Sequence, residues 1–341
     1  MRRCLSLNLA VAILFSFSAV ATASSSLPLD EQRTVAEAKV YRSSDYFEGD
    51  YVVLTIMDDG MIRIEGRSRF AGMRFGVFCG IEKPRTKLAT GSVGLDGYYL
   101  GVFDATPIRY DGIHQMRVGF TETRNAGVYQ GYYTRIRLSC EAGELSFVQS
   151  PVYEGNRAAF MSNSQLRPEE HLDVALADEA ARQEIEELAG VIVAGASTDY
   201  ERLLRIHDWV AENIYYDKDS YRAGRPRAKD AYGTLSNRKS TCTGYANLTA
   251  ALLRSIGIPS RVISGHALGT SAAGEYWDEV DHSETTHSWN EAFVDGRWVI
   301  LDATRDSGNK YEDGQFRQGR VKHVYFDPSL QAFSHSHKIM Q

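Results

Sequence analysis

The stretch His287-Ser288-Trp289-Asn290-Glu291-Ala292-Phe293-Val294-Asp295-Gly296-Arg297-Trp298-Val299-Ile300-Leu301-Asp302 sets the frame for the whole chain. Asp-Gly between two apolar β-type runs is among the strongest short-range hairpin signals. With Asp295 and Gly296 as the turn, Val294 pairs with Arg297, Phe293 with Trp298 and Glu291 with Ile300. Continued outward, Trp289 faces Asp302 and His287 faces Thr304. Side chains alternate between strand faces, so His287 and Asp302 point to the same side as diagonal neighbours, with Cβ atoms about 7 Å apart. An imidazole and a carboxylate can meet across that gap. A slip of one residue would put them on opposite faces.

A partner for this pair lies upstream. Ser240-Thr241-Cys242-Thr243-Gly244-Tyr245 opens a helical pattern in which Tyr245, Leu248, Leu252 and Ile256 share a face. Gly257 ends the helix, Pro259 prevents its return, and Ser240 or Thr241 stands where a cap is needed. Cys242 therefore falls in the first turn, where unpaired N–H groups and the positive end of the helix dipole favour a thiolate. The same N–H groups can hold an oxyanion. Helix position alone leaves Cys242 equally readable as a small buried hydrophobe. The His287–Asp302 pair favours the nucleophile.

These segments resemble the transglutaminase-like superfamily. The resemblance rests on Cys242-Thr243-Gly244-Tyr245-Ala246 opening a helix and on the exit Gly257-Ile258-Pro259-Ser260-Arg261-Val262 into a strand. His287-Ser288-Trp289-Asn290-Glu291 and Leu301-Asp302-Ala303-Thr304 complete it, over about residues 198–308. Ala231-Tyr232-Gly233 is similar to a bacterial branch that includes kyphoscoliosis-peptidase-like proteins. The resemblance implies a papain-like α+β core with Cys242 as nucleophile, His287 as base and acid, and Asp302 as the orienting group. The family's oxyanion contribution from upstream of the cysteine falls on Tyr232, which reads equally as an aromatic packed under the cysteine helix. The implied chemistry is acyl transfer on amide bonds through a Cys242 thioester. Passing the acyl group to water makes a peptidase or amidase, and passing it to an amine makes a cross-linking transglutaminase. A non-catalytic binding or assembly module of the cell envelope is the alternative of another class.

Around this core, 341 residues with 24% charged and 43% hydrophobic content describe an ordinary globular chain of about two domains. A formal net charge of -6 disfavours a nucleic-acid partner. Arg2 and Arg3, an apolar run over 9–20 and Ala21-Thr22-Ala23 read as a signal peptide over 1–23. The expected location is secreted or periplasmic, with no membrane span after cleavage and a protein or peptide substrate. Cleavage leaves Cys79, Cys140 and Cys242. The first two lie in strand-like sequence and are expected either to pair as a disulfide or to be buried thiols, with Cys242 left over.

The fold class expected is α+β, an N-terminal antiparallel β-sandwich-like domain followed by a papain-like, transglutaminase-like core. Short β-type runs over 51–57, 61–70, 74–80, 97–103, 114–121, 128–140 and 144–153 build the accessory domain, 24–154. A linker over 155–168 and a helix from Pro168 to about Leu188 occupy the connecting segment, 155–197, and the catalytic domain spans 198–341. His207, in a helix capped by Thr198 or Asp199, reads as structural. The stretch 267–286 is a loop of a length that is either a flap over a cleft or a disordered insertion. His335 and His337 form an H-x-H tail without zinc-like spacing, so no metal or cofactor is expected.

Overall fold

Val52, Leu54 and Ile56 alternate along one strand, Ile62 and Ile64 along the next, and all five are buried. This period of two builds the N-terminal half. The computed structural model describes residues 34–37, 39–44, 50–80, 86–121, 123, 129–176, 178–224, 229–268, 277 and 285–340. The expected signal peptide, 1–23, lies outside these residues, as does most of the expected loop 267–286. Strands β1 (Thr34–Glu37), β2 (Val40–Ser44), β3 (Tyr51–Ile56), β4 (Met61–Arg67) and β7 (Tyr98–Asp104) form one antiparallel sheet. Its partner sheet holds β5 (Arg74–Cys79), β6 (Thr86–Ser92), β8 (Gly112–Phe120), β9 (Gln130–Glu141) and β10 (Glu144–Val148). The two share a core in which Val52, Leu54 and Ile64 meet Phe75, Val118 and Leu138, so the expected sandwich is present. β6, Thr-Lys-Leu-Ala-Thr-Gly-Ser, escapes sequence reading because it is a polar edge strand with no apolar alternation.

Cys79 and Cys140 form no disulfide; both are free and buried. The ladder explains why. Cys79 pairs with Met116 of β8, Met116 pairs with Ile136 of β9, and Cys140 lies four positions further along β9. Two strand spacings of about 4.8 Å and four rises of about 3.3 Å separate their Cα atoms by more than about 15 Å. A disulfide spans roughly 7 Å at most.

The second half begins with α1 (Tyr153–Ser164), in the stretch that reads as a linker. Its stability is tertiary. Asn156 Nδ2 donates to Ser334 Oγ at 2.9 Å and to the His337 carbonyl at 2.8 Å, ties to the far end of the chain. Pro168 opens only a single 3-10 turn; α2 (Glu179–Ile192) starts later, where Asp178 accepts from the Ala181 N–H. There follow α3 (Asp199–Asn213), β11 (Tyr215–Asp217), α4 (Lys218–Arg222), α5 (Ala231–Asn237), β12 (Lys239–Ser240) and α6 (Cys242–Ser255). Then come β13 (Ser260–Ala267), β14 (Thr286–Val294), β15 (Arg297–Leu301), α7 (Ala303–Asp306), β16 (Lys310–Glu312), β17 (Gln315–Arg317), α8 (Leu330–Ser334) and β18 (His337–Ile339). Among the described residues, no helix is long and apolar enough to cross a membrane.

The sheet β15-β14-β13-β18 is covered on both faces. Tyr245, Leu248 and Leu252 of α6 pack with Ala292, Val294 and Leu301 on one side. Tyr153 of α1 and Phe333 of α8 pack with Trp289, Ile263 and Ile300 on the other. Asp295 (φ 52°) and Gly296 (φ 79°) supply the two positive φ values of a type I′ turn. The ladder runs from Val294↔Arg297 to Asn290↔Leu301, the register expected. Directly opposite Glu291 on β13, Arg261 donates from Nε to Glu291 Oε2 at 2.8 Å and lies over the Trp298 ring at 3.9 Å. Removing one partner of a buried pair strands the other charge, so Arg261→Ala should cost about 3–5 kcal/mol in urea unfolding. A loss under about 1 kcal/mol would show that Glu291 finds water.

Candidate active site

Cys242 is the first residue of α6, preceded by Thr241 in an extended conformation (ψ -178°). Thr241 is the N-cap, and its side chain makes no capping hydrogen bond. Gly244 lets the helix seat. A Cβ there would lie 2.0 Å from Ser240 Oγ and 2.5 Å from Thr234 Oγ1. The Tyr245 hydroxyl donates to the Ile214 carbonyl at 2.6 Å, and Asn290 Nδ2 donates to the Ala246 carbonyl at 2.9 Å. The second bond locks β14 to the cysteine helix and so sets His287 relative to Cys242.

His287 and Asp302 meet as the hairpin register requires. Nε2 of His287 lies 2.6 Å from Asp302 Oδ2, with both side chains buried. Asp302 has left the ladder: it is the N-cap of α7, and its Oδ1 accepts from the Arg305 N–H at 3.1 Å. His287 also hydrogen bonds to the Cys242 thiol, which takes a further bond from the Ser288 backbone. Nε2 is taken by Asp302, which leaves Nδ1 as the other ring nitrogen.

Electrostatics follow from this chain of contacts. Burial pushes the Cys242 thiol up, but the bond to His287, its charge and the Ser288 N–H outweigh burial and hold it below its ordinary value. Burial opposes charge on His287 as well, yet Asp302 and Cys242 raise its pKa to about 9. Burial disfavours the Asp302 carboxylate too, and His287 overrides that to hold it below the usual range. The imidazolium thus stabilises both the thiolate and the carboxylate, while the carboxylate charge itself acts against the thiolate.

Two other residues at this site escape sequence reasoning. His337, on β18, places Nε2 3.1 Å from the same Asp302 Oδ2. Its only sequence signal is the H-x-H tail, which points nowhere by itself. Tyr216, on β11, pairs with Ser240 two positions before the thiol, and its pKa is raised by burial and next by the Cys242 charge. The Tyr232 hydroxyl instead donates to Glu184 Oε2 of α2 at 3.0 Å, while the ring packs against the helical core.

His207 is buried as well, with Nδ1 3.0 Å from Asp208 Oδ1 and Nε2 3.2 Å from Asp306 Oδ2. It ties α3 to α7, the turn that carries Asp302. Among the described residues, two groups bring side chains of metal-ligating type close together, His207–Asp208–His323 and His287–Asp302–His337. In each, one carboxylate oxygen is shared by both imidazoles.

Residues 186–303 match the family model of the transglutaminase-like superfamily. The chain is similar to that family over this stretch, about a third of its length. It is 29% identical over 157 residues to kyphoscoliosis peptidase of Homo sapiens, a stretch covering 46% of this chain and 23% of that protein. The Mus musculus counterpart is 28% identical over 143 residues, 42% of this chain and 21% of its own length. The match therefore spans less than a quarter of the curated relatives. Among solved structures, the periplasmic domain of TgpA from Pseudomonas aeruginosa is 16% identical, with a TM-score of 0.28, covering 82% of this chain and 85% of its own. Red sea bream transglutaminase is 12% identical, with a TM-score of 0.26, covering 77% and 50%.

The pKa directions of Cys242 and His287 give an experiment that needs no substrate. Iodoacetamide should alkylate Cys242 well below the ordinary thiol pKa of about 8.5. The rate should change again near pH 9, where His287 loses its proton. In His287→Ala only burial is left to act strongly, so the thiolate should appear at or above pH about 8.5. Mass spectrometry of the modified chain reads both. A wild-type Cys242 that titrates at its ordinary value would break the ion-pair description.

Proposed function

We propose that this chain is an exported thiol enzyme that acts on amide bonds, a peptidase or amidase. The observation that carries the reading is the connected line from Cys242 at a helix start through His287 to buried Asp302. In this reading the thiolate attacks the amide carbonyl and a tetrahedral oxyanion forms beside the first turn of α6. His287 then delivers its proton to the leaving amine, and a Cys242 thioester remains. Water, with its proton taken by His287, attacks the thioester, releases the acid and restores the thiol. Asp302 holds the imidazole in orientation and stabilises its charged form. Supporting export, Arg2, Arg3 and the apolar run before Ala21-Thr22-Ala23 have the pattern of a signal peptide. Envelope proteins or peptides are the substrates that location offers.

Incubation of the purified chain with a mixture of unstructured peptides and a fluorescent primary amine tests the reaction. New peptide termini detected by mass spectrometry are the expected product. Cys242→Ala should abolish them, and His287→Ala should lower the rate by about 10²–10⁴-fold. Amine incorporation without new termini would replace hydrolysis by cross-linking. Unchanged cleavage by Cys242→Ala would refute the thiol mechanism altogether.

A further inference from the structure

The acyl-transfer scheme uses one histidine, yet two imidazoles converge on Asp302. We propose that His337 is a positioning residue: its Nε2–H holds the Asp302 carboxylate in the one orientation that presents Oδ2 to His287. The proposal deepens the reading of Cys242, His287 and Asp302 as the reacting line, and rests on it.

Delivery of His337 is built into the sheet. β13 lies between β14 and β18, with Gly265 paired to His287 on one side and to Ile339 on the other. His337 pairs with Ala267, two positions along. Gly265 and Ala267 are the small residues on the intervening strand, and a Cβ at Gly265 would lie 2.4 Å from the Trp289 ring and 2.3 Å from the Lys338 carbonyl. The small residues leave room for the flanking imidazoles to lean over β13, with ring centroids 5.6 Å apart.

The tautomer follows from the neighbours. An ionised carboxylate can only accept, so the nitrogen facing it must carry the hydrogen. That makes His337 Nε2 the donor at 3.1 Å and leaves Nδ1 to accept from Ser336 Oγ at 2.9 Å. The ring is held by stacking on Phe333 at 4.1 Å and by an edge contact with Tyr325 at 5.0 Å. Its backbone is clamped by α1, since Asn156 Nδ2 donates to the His337 carbonyl at 2.8 Å and Asn156 Oδ1 accepts from the Ile339 N–H at 2.8 Å. Such confinement exceeds what a space-filling side chain requires.

His337 stays neutral. Burial lowers its pKa to about 3 against the pull of Asp302, with His287 and Arg305 adding to the fall. The charged or titratable groups facing Asp302 are His287 from β14, His337 from β18, Arg305 and Asp306 from α7, Tyr216 from β11 and Cys242 from α6. His337 is therefore a fixed dipole. It donates to the carboxylate without competing for the positive charge that belongs on His287. Without it, Oδ2 keeps one donor, the carboxylate can rotate, and His287 loses its alignment toward Cys242.

The full chain bearing His337→Leu or His337→Gln tests this. Glutamine can place an N–H near the Nε2 position and does not titrate, whereas leucine fills space without a donor. The readouts are the pH profile of Cys242 alkylation by iodoacetamide and the melting temperature. His337→Leu should lower the alkylation rate at pH 7 by about 10-fold or more and move the Cys242 titration upward, and His337→Gln should restore most of both. If leucine prevents folding, His337→Asn, whose amide stops short of Asp302, takes its place. Wild-type profiles in the donor-free variant would overturn the proposal and leave the thiol mechanism standing. Equal loss in folded leucine and glutamine variants would also overturn it, assigning the effect to ring packing. A wild-type Cys242 that is inert and indifferent to His287→Ala would bring down both readings.

Discussion

A carboxylate charge at a position only 1% exposed is the constraint around which the second half of the chain is arranged. An isolated buried ion of this kind is prohibitive unless it is paired and its lone pairs are filled. Asp302 meets that demand from three directions: His287 from β14, His337 from β18 and the Arg305 N–H from α7. β15 ends at Leu301 because Asp302 must turn into the cap of a helix. The C-terminal segment returns to pair with β13, and His337 is the residue it brings.

The strand β14 transmits this arrangement to the cysteine, and its residues divide the work by face. Asn290 and Ala292 turn to α6, one bonded to the Ala246 carbonyl and the other in the helical core. Trp289 and Glu291 turn the other way, to the core beneath α1 and α8 and to Arg261. His287 stands near the start of the strand, within reach of both Asp302 and the first turn of α6. Burial on both faces is met by pairing: His287 bonds Asp302, Asn290 the Ala246 carbonyl and Glu291 the Arg261 guanidinium.

Local rules made the hairpin legible. An Asp-Gly turn needs two positive φ values, which sets the loop at two residues and so fixes the pairing of every residue behind it. The His287–Asp302 contact follows from counting. The first turn of the cysteine helix was legible for a similar reason, since a short periodic run ended by Gly257 and Pro259 specifies its own boundaries. The sandwich strands from β3 onward with apolar residues were visible, whereas β1, β2 and the polar edge strand β6 were not. A Cys79–Cys140 bridge looked possible because both lie in strands. It is excluded by β8, which lies between those strands in the sheet.

Turn chemistry and periodicity in the chain were thus sufficient to specify the hairpin, the cysteine helix, the facing of His287 toward Asp302 and an α+β architecture. Tertiary structure alone decided that 155–168 forms most of a helix, that Tyr232 turns to Glu184, that Tyr216 pairs with Ser240 and that His337 shares Asp302. The division has a physical cause. Backbone sterics and side-chain alternation act over a few residues and leave a periodic trace. The contact between His337 and Asp302 spans 35 positions, and that between Asn156 and His337 spans 181. Contacts at such separations are settled only by how sheets and helices close against one another, and neighbouring residues carry no periodic record of them.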